Sequence, residues 1–247
     1  MEFTNIQMIN VLLLVVILFV VFKYLETFWS YKISKPYLWE RAVKARTLNK
    51  RLVKMERTFR DRVRFYNLWF QVERLKKNKI QGAFAELGVH KGQTAKAIHL
   101  MDDQRTFYLF DTFEGFPDRD LEFESQKDSR FSNEMFADTT QEDVEVFIGG
   151  NDNLQFRKGY FPDTTKGLES ETFALVHIDA DLYEPTKSAL NFFYPHLSSG
   201  GVMIIHDYNH NWEGVPKAID EFLQQIPESL TVLPDWQGSA MIIKNSN

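Results

Sequence analysis

Ala83-Phe84-Ala85-Glu86-Leu87-Gly88-Val89-His90-Lys91-Gly92 is the stretch on which the reading of this chain turns. Its first half is a short apolar run of the kind that forms a strand buried on both faces. It closes on a carboxylate, then a glycine turn, then a second glycine where a helix opens. Two later runs close the same way, Phe107-Tyr108-Leu109-Phe110-Asp111 and Leu175-Val176-His177-Ile178-Asp179. In an open α/β sheet, ligands bind outside the carboxyl ends of the strands, so acids placed there face a cofactor rather than a core.

From Gln81 onward strand and helix alternate. The pattern predicts strands over 83–88, 106–111, 154–157, 173–179 and 202–205, with Ser198-Ser199-Gly200-Gly201 as the turn into the last. Helices are expected over 93–101, from Thr140 (with Asp143 as its capping partner), from Pro185 to about His196, and over 215–224. Residues 230–233 and 240–244 look like a closing antiparallel pair. Phe113 to Asp138 is acidic and aromatic, with little periodicity. Repeated βα units imply a mostly parallel sheet covered on both faces.

The charge is unevenly spread. Residues 41–80 hold 14 Lys/Arg against Glu56, Asp61 and Glu73, whereas 81–247 hold 12 Lys/Arg against 28 Asp/Glu. An acidic domain of this kind repels phosphates, so nucleic acid is not an expected partner. The absence of cysteine excludes disulfides, thiolate metal sites and cysteine nucleophiles. Ile6 to Leu25 is apolar over about 20 residues, enough for a bilayer core roughly 30 Å thick, and reads as a single membrane-spanning helix. Lys23, Lys32, Lys35 and the basic stretch follow it, which places the large domain on the cytoplasmic side. Leu48, Leu52, Met55, Phe59, Val63, Tyr66 and Phe70 recur at helical spacing. They predict a basic amphipathic helix that packs this stripe on the catalytic domain and leaves its charges solvated, with lipid headgroups as a further use for those charges. The expected division is 1–27 anchor, 28–65 juxtamembrane arm and 66–247 catalytic domain.

The chemistry follows from the strand ends. Glu86-x-Gly88-x-x-x-Gly92 lacks the glycine spacing of a dinucleotide fingerprint. Gly88 lets the backbone approach a ligand, and the helix start after Gly92 offers free N–H groups. Asp111 lies about 20 residues on, at the end of the next strand, where a carboxylate accepts ribose hydroxyls. Together they point to an adenosine cofactor. Asp179 and Asp207, in His206-Asp207-Tyr208, end adjacent strands and are placed to share a divalent cation such as Mg²⁺, Ca²⁺ or Mn²⁺. Such a cation lowers the pKa of a substrate hydroxyl so that a neighbouring carboxylate or imidazole takes its proton. Asp181 reads as a turn or cap residue and His177 as a satisfied core histidine. His90, in the cofactor turn, is ambiguous; His99 and His196 carry no signal.

Four motifs in order carry a family resemblance: Phe84 to Gly92, Asp111-Thr112-Phe113-Glu114-Gly115-Phe116-Pro117, His177 to Thr186, and Gly200 to Tyr208. From about Tyr66 to Lys244 the chain resembles the macrocin O-methyltransferase family, class I S-adenosylmethionine enzymes that methylate sugar hydroxyls on macrolides. The resemblance implies a Rossmann-like three-layer sandwich with a mostly parallel seven-stranded sheet. It implies S-adenosylmethionine at Glu86, Gly88 and Asp111, and extends the cofactor set to His90, Gly92, Thr94, Thr112 and Phe113. It also implies Mg²⁺ at Asp179 and Asp207, with Asp179 as base. Where the family has Asp-Asp-Tyr this chain has His206-Asp207-Tyr208, so His206 is read as third ligand or as base. The apolar span and basic stretch lie outside the family pattern, so the macrolide acceptor is not carried over.

The expected activity is O-methylation of a sugar or glycoconjugate, with Phe116, Phe123, Phe131 and Phe136 placed to stack on the acceptor. A homo-oligomer is kept as an expectation. Three rivals stand beside this reading: a catechol-like acceptor, a catalytically inactive scaffold for glycan assembly at a membrane, and a nicotinamide-dependent reductase, which the glycine spacing disfavours.

Overall fold

The computed structural model describes residues 4–33, 35–125, 131–209 and 213–245. The chain divides into two compact units, with the boundary between Leu48 and Asn49. The first holds α1 (Asn5–Ile33) and α2 (Tyr37–Lys44). Within α1, Asn5–Phe28 is long and apolar enough to cross a membrane, and none of its most apolar stretch is buried.

The second unit begins with α3 (Lys50–Thr58) and α4 (Arg62–Lys77). It continues through β1 (Ala83–Leu87), α5 (Gln93–Met101), β2 (Phe107–Asp111), α6 (Asp118–Ser125), α7 (Gln141–Ile148), β3 (Leu154–Lys158) and β4 (Phe173–Ile178). It closes with α8 (Tyr183–His196), β5 (Leu197–Ile205), α9 (Gly214–Leu223), β6 (Thr231–Val232) and β7 (Ala240–Ile243). The strands form one sheet in the order β3-β2-β1-β4-β5-β7-β6. The first five run parallel and β7 is antiparallel to β5 and β6, which is the Rossmann-like arrangement expected. The order reverses between β1 and β4, and at such a switch point the loops diverge to leave a crevice.

Side chains alternate across the central strands. Ala83, Ala85 and Leu87 of β1, Phe110 of β2, Ile178 of β4 and Ile205 of β5 pack with Leu190 and Phe193 of α8 and Ile219 of α9. The alternate positions, including Phe84, Glu86, Leu109 and His177, point to the opposite face and are equally buried. Burial on both faces explains why these strands are continuous apolar runs.

Three expectations are corrected. The stripe from Leu48 to Phe70 is two helices, not one. Phe59 turns extended, and Asp61 caps α4 by accepting the Arg64 backbone N–H at 3.0 Å. Leu52, Met55, Phe59 and Tyr66 are buried as the stripe predicts, but Val63 is 41% exposed and Arg64 is not solvated. Second, Ser198-Ser199-Gly200-Gly201 belongs to β5 rather than to a turn. Leu197 pairs with Phe173, and Val202 resumes the register at Leu175. Gly200, with φ of 76°, sits in the bulge between them, and small residues there suit a bulge as well as a turn. Third, the aperiodic stretch after Phe113 contains α6. Within that stretch, residues 126–130 and the side chain of Phe123 lie outside the described residues.

Candidate active site

The tips of β1, β2, β4 and β5 are tied together beyond the regular ladder. Gly88 N–H donates to Phe110 C=O at 3.0 Å, Asp179 N–H to Leu87 C=O at 2.9 Å, and His206 N–H to Ile178 C=O at 2.8 Å. The approach is so close at Gly88 that a Cβ there would stand 1.8 Å from the Asp179 carbonyl oxygen. Glycine is required by that contact and by its φ of 86°.

Two cavities open on these tips. One, of about 260 Å³, is lined by Asp111, Thr112, Gly159, Tyr160, Asp179, Asp181, His206 and Asp207, among others. The second, of about 570 Å³, includes Glu86, Lys91, Gln93, Thr94 and Asp143. Arg64, Gly88, His90 and Asp179 line both. His90, Phe136, Asp181 and Asp207, all on the first cavity, have left-handed backbone with φ between 45° and 63°. Non-glycine residues pay for that conformation, and such strain concentrates where a side chain must be aimed.

Asp111 is fixed before any ligand arrives. One carboxylate oxygen accepts the His90 N–H at 2.7 Å and the other the Phe113 N–H at 2.7 Å. Each oxygen keeps a further lone pair for a hydroxyl. Asp179, His206 and Asp207 form a second group, whose ligand atoms all lie within 4.8 Å of one another. His206 Nδ1 stands 3.0 Å from Asp179 Oδ1 and 3.0 Å from Asp207 Oδ1, yet neither ring nitrogen has an aligned hydrogen-bond partner among the described residues. Burial opposes charge on the imidazole, but the two carboxylates outweigh it and raise His206 to about 10. Burial would likewise raise Asp179, and the attraction of His206 and Arg64 overcomes it, holding the carboxyl well below the usual range. Asp181 is pushed up by burial and by Asp179 and Asp207 beside it.

Most of the residues singled out in the sequence meet here. Gly88, His90, Asp111, Thr112, Asp179, His206 and Asp207 line the first cavity, and Glu86 and Thr94 the second. Gly92 and Phe113 point elsewhere. A Cβ on Gly92 would meet Val144 at 2.7 Å, so that glycine admits α7, while the Phe113 ring is buried beside Phe156. His177 is buried in β4 as expected but only half satisfied: Nδ1 is 3.0 Å from Glu86 Oε1, and Nε2 has no partner among the described residues. Phe116 and Phe136 line the first cavity, and Phe131 sits behind Phe116.

Sequence reasoning missed Arg64, Asp120, Tyr160 and Gln237, which also line the first cavity. Tyr160 had a signal, because it follows β3 and so lies at another strand tip. Its hydroxyl donates to Asp120 at 2.8 Å. Arg64 had none, being one of many arginines in a basic stretch.

A sequence profile described as Macrocin-O-methyltransferase (TylF) matches residues 21–241. Among curated proteins, the chain is 30% identical over 156 residues to the 8-demethyl-8-(2,3-dimethoxy-alpha-L-rhamnosyl)-tetracenomycin-C 4'-O-methyltransferase of Streptomyces olivaceus. It is 31% identical over 160 residues to the mycinamicin III 3''-O-methyltransferase of Micromonospora griseorubida. Each match takes in 59% of this chain, and the chain spans 60% and 62% of those relatives' lengths. Among solved structures, the O-methyltransferase NovP superposes with a TM-score of 0.63 at 26% identity, covering 75% of this chain and 81% of that one.

Proposed function

This chain belongs to the macrocin-O-methyltransferase family, and from that premise we propose that it methylates a hydroxyl of a sugar or glycoconjugate, using S-adenosylmethionine and a divalent cation. The observation that carries the reading is that Asp111 and the Asp179–His206–Asp207 group line one cavity. A carboxylate suited to ribose hydroxyls and one suited to accept a proton thus face a single cavity.

The residues fit the cofactor. Asp111 is pre-oriented to accept ribose hydroxyls, Gly88 leaves the backbone open, and Glu86 keeps a buried oxygen, Oε2, without a partner in the adjoining cavity. When bound, S-adenosylmethionine supplies an electrophilic methyl group for an oxygen nucleophile. The chain's own tasks are then to orient the acceptor and remove its proton. Asp179 is the base in this proposal, since it is held anionic beside the cavity. His206 lies between Asp179 and Asp207, within 3.0 Å of a carboxylate oxygen of each.

The donor set also fits a divalent cation, with two carboxylates and an imidazole that lacks any aligned partner. The oxygens suit Mg²⁺ or Mn²⁺, and the nitrogen admits Fe²⁺ or Zn²⁺. A cation would supply Lewis acidity to the acceptor hydroxyl. Asp179, His206 and Asp207 would hold the cation, with His206 binding as the neutral imidazole. Phe116 and Phe136 offer the acceptor two aromatic faces, which suits the CH surface of a sugar ring.

The apolar helix is the basis for a further part of the proposal: a single-pass anchor with the catalytic unit on the cytoplasmic side. Support comes from its length, its wholly exposed apolar surface and the basic residues that follow it.

The test is methyl transfer by the full chain in detergent, with methyl-labelled S-adenosylmethionine and a panel of nucleotide sugars, glycolipids and catechols, with and without Mg²⁺ or Mn²⁺. Label in an alkali-stable sugar ether is the expected result. Label on catechols alone would replace the acceptor class, and no transfer to any hydroxyl would remove the enzymatic reading.

A further inference from the structure

Arg64 sits where the two cavities join, although it comes from the first turn of α4 and not from a strand tip. Its side chain is 12% exposed. One guanidinium nitrogen, Nη1, lies 3.4 Å from Asp179 Oδ2, and the other, Nη2, donates to Thr94 Oγ1 at 3.3 Å. The third, Nε, is buried with no hydrogen-bond partner among the described residues. A guanidinium has five N–H donors in a fixed fork. Here two are in use, and both contacts fall at the long end of the hydrogen-bond range. The fork is therefore held in place, against Phe59 on one side with 5.7 Å to the ring centroid, but it is not satisfied.

The same cavity holds a second polar group with an unused atom. Glu86 is 1% exposed, has Oε1 3.0 Å from His177 Nδ1 and leaves Oε2 without a partner among the described residues. The Thr94 hydroxyl stands between α5 and Arg64. An open fork of N–H donors, a hydroxyl and a buried carboxyl oxygen around one cavity are complementary to an α-amino acid head, which carries a carboxylate and an ammonium.

We infer that Arg64, with Thr94 beside it, receives the carboxylate of the amino-acid part of the cofactor. This rests on the S-adenosylmethionine reading above and assigns that molecule's charged end to a residue of the basic helical stretch. The planar fork matches a carboxylate in a two-point contact that a lysine does not reproduce. Arg64 thus binds the cofactor from the helix that leads into the sheet, while Asp111 holds it from the tip of β2. Since Arg64 also touches Asp179, the cofactor carboxylate and the proposed base share one guanidinium.

Calorimetry on the full chain in detergent tests this with two ligands, S-adenosylhomocysteine and its decarboxylated analogue, 5'-(3-aminopropylthio)-5'-deoxyadenosine. The two differ only in the carboxylate. Wild type is expected to bind S-adenosylhomocysteine about tenfold to a hundredfold more tightly, the range for a charge-assisted pair. In Arg64→Gln that preference should fall to within about threefold, with affinity for the decarboxylated ligand unchanged. Arg64→Lys should keep part of the preference. Equal affinity of wild type for both ligands overturns the inference without any variant. So does a uniform loss for both ligands in Arg64→Gln, which would mark a structural role, or a preference that survives the substitution. If wild type binds neither ligand, the cofactor reading fails first and takes this assignment with it.

Discussion

Two carboxylate–imidazole pairs lie on neighbouring strands with the same spacing and opposite electrostatics. His177 Nδ1 is 3.0 Å from Glu86 Oε1, and His206 Nδ1 is 3.0 Å from Asp179 Oδ1. In the first pair, both side chains are within 1% of full burial. Burial drives His177 down to about 3, and burial with Asp179 nearby drives the Glu86 carboxyl up, so both groups favour their neutral forms. In the second pair, Asp179 is 22% exposed and Asp207 adds a second carboxylate at 3.0 Å from the same nitrogen. There His206 rises to about 10 and Asp179 falls. Distance alone decides nothing here. A lone carboxylate in a dry sheet does not offset desolvation, whereas two carboxylates at a cleft do. Register explains the placement: Glu86 pairs with His177 inside the sheet, while Asp179, His206 and Asp207 lie just past the last residues of β4 and β5.

The largest break in this contrast should come from Asp179→Asn. Removing the proposed base is expected to lower turnover by about 10²- to 10⁴-fold while S-adenosylhomocysteine affinity stays within a few fold. Rate assays and calorimetry on the same preparation separate the two. Asp207→Asn sharpens the comparison by giving His206 a single carboxylate, like His177. In the presence of chelator, its imidazole midpoint by NMR should drop from about 10 by at least one unit, about 1.4 kcal/mol of differential interaction. An unchanged midpoint would mean that Asp179 alone sets the charge.

His177→Gln keeps a hydrogen-bonding group near Glu86 but cannot titrate. The folded-state pKa of His177 is depressed, from 6.5 to about 3, so the unfolded chain takes up the proton first. That contribution to stability is complete above 6.5 and is lost as pH falls toward 3. Between pH 7 and pH 5, wild type should therefore lose up to about 2 kcal/mol relative to the variant, seen in denaturant unfolding at each pH. Parallel curves would show that His177 does not titrate as burial requires. The smallest effect belongs to Tyr160→Phe, which strips one donor from buried Asp120. About 1 kcal/mol of stability should go, visible as a lower Tm.

What the sequence disclosed follows the same division. The strand tips were legible because a parallel strand buried on both faces is an apolar run, and a carboxylate at its end is conspicuous. Glu86, Asp111, Asp179 and Asp207 were found that way, and the mostly parallel sheet follows from repeated βα units. Three features were hidden by ambiguous local chemistry. The chain turns extended at Phe59 and Asp61 caps the next helix without interrupting the apolar spacing, so two helices read as one. The serines and glycines from Ser198 to Gly201 serve a bulge as readily as a turn. Asp118 to Ser125 is helical with no apolar stripe, so periodicity had nothing to register. Arg64 was hidden by number. Only packing separates it from the exposed arginines around it, because the turn at Phe59 to Asp61 carries it to the cleft.

The account depends on one cleft holding a nucleoside at Asp111 and an acceptor hydroxyl at Asp179. A crystal structure of the protein with S-adenosylhomocysteine tests it most directly. It should show the ribose hydroxyls on the Asp111 carboxylate and the sulfur on the Asp179 side of the same cavity. A nucleoside seated on any other surface, or a sulfur turned away from Asp179, would contradict it.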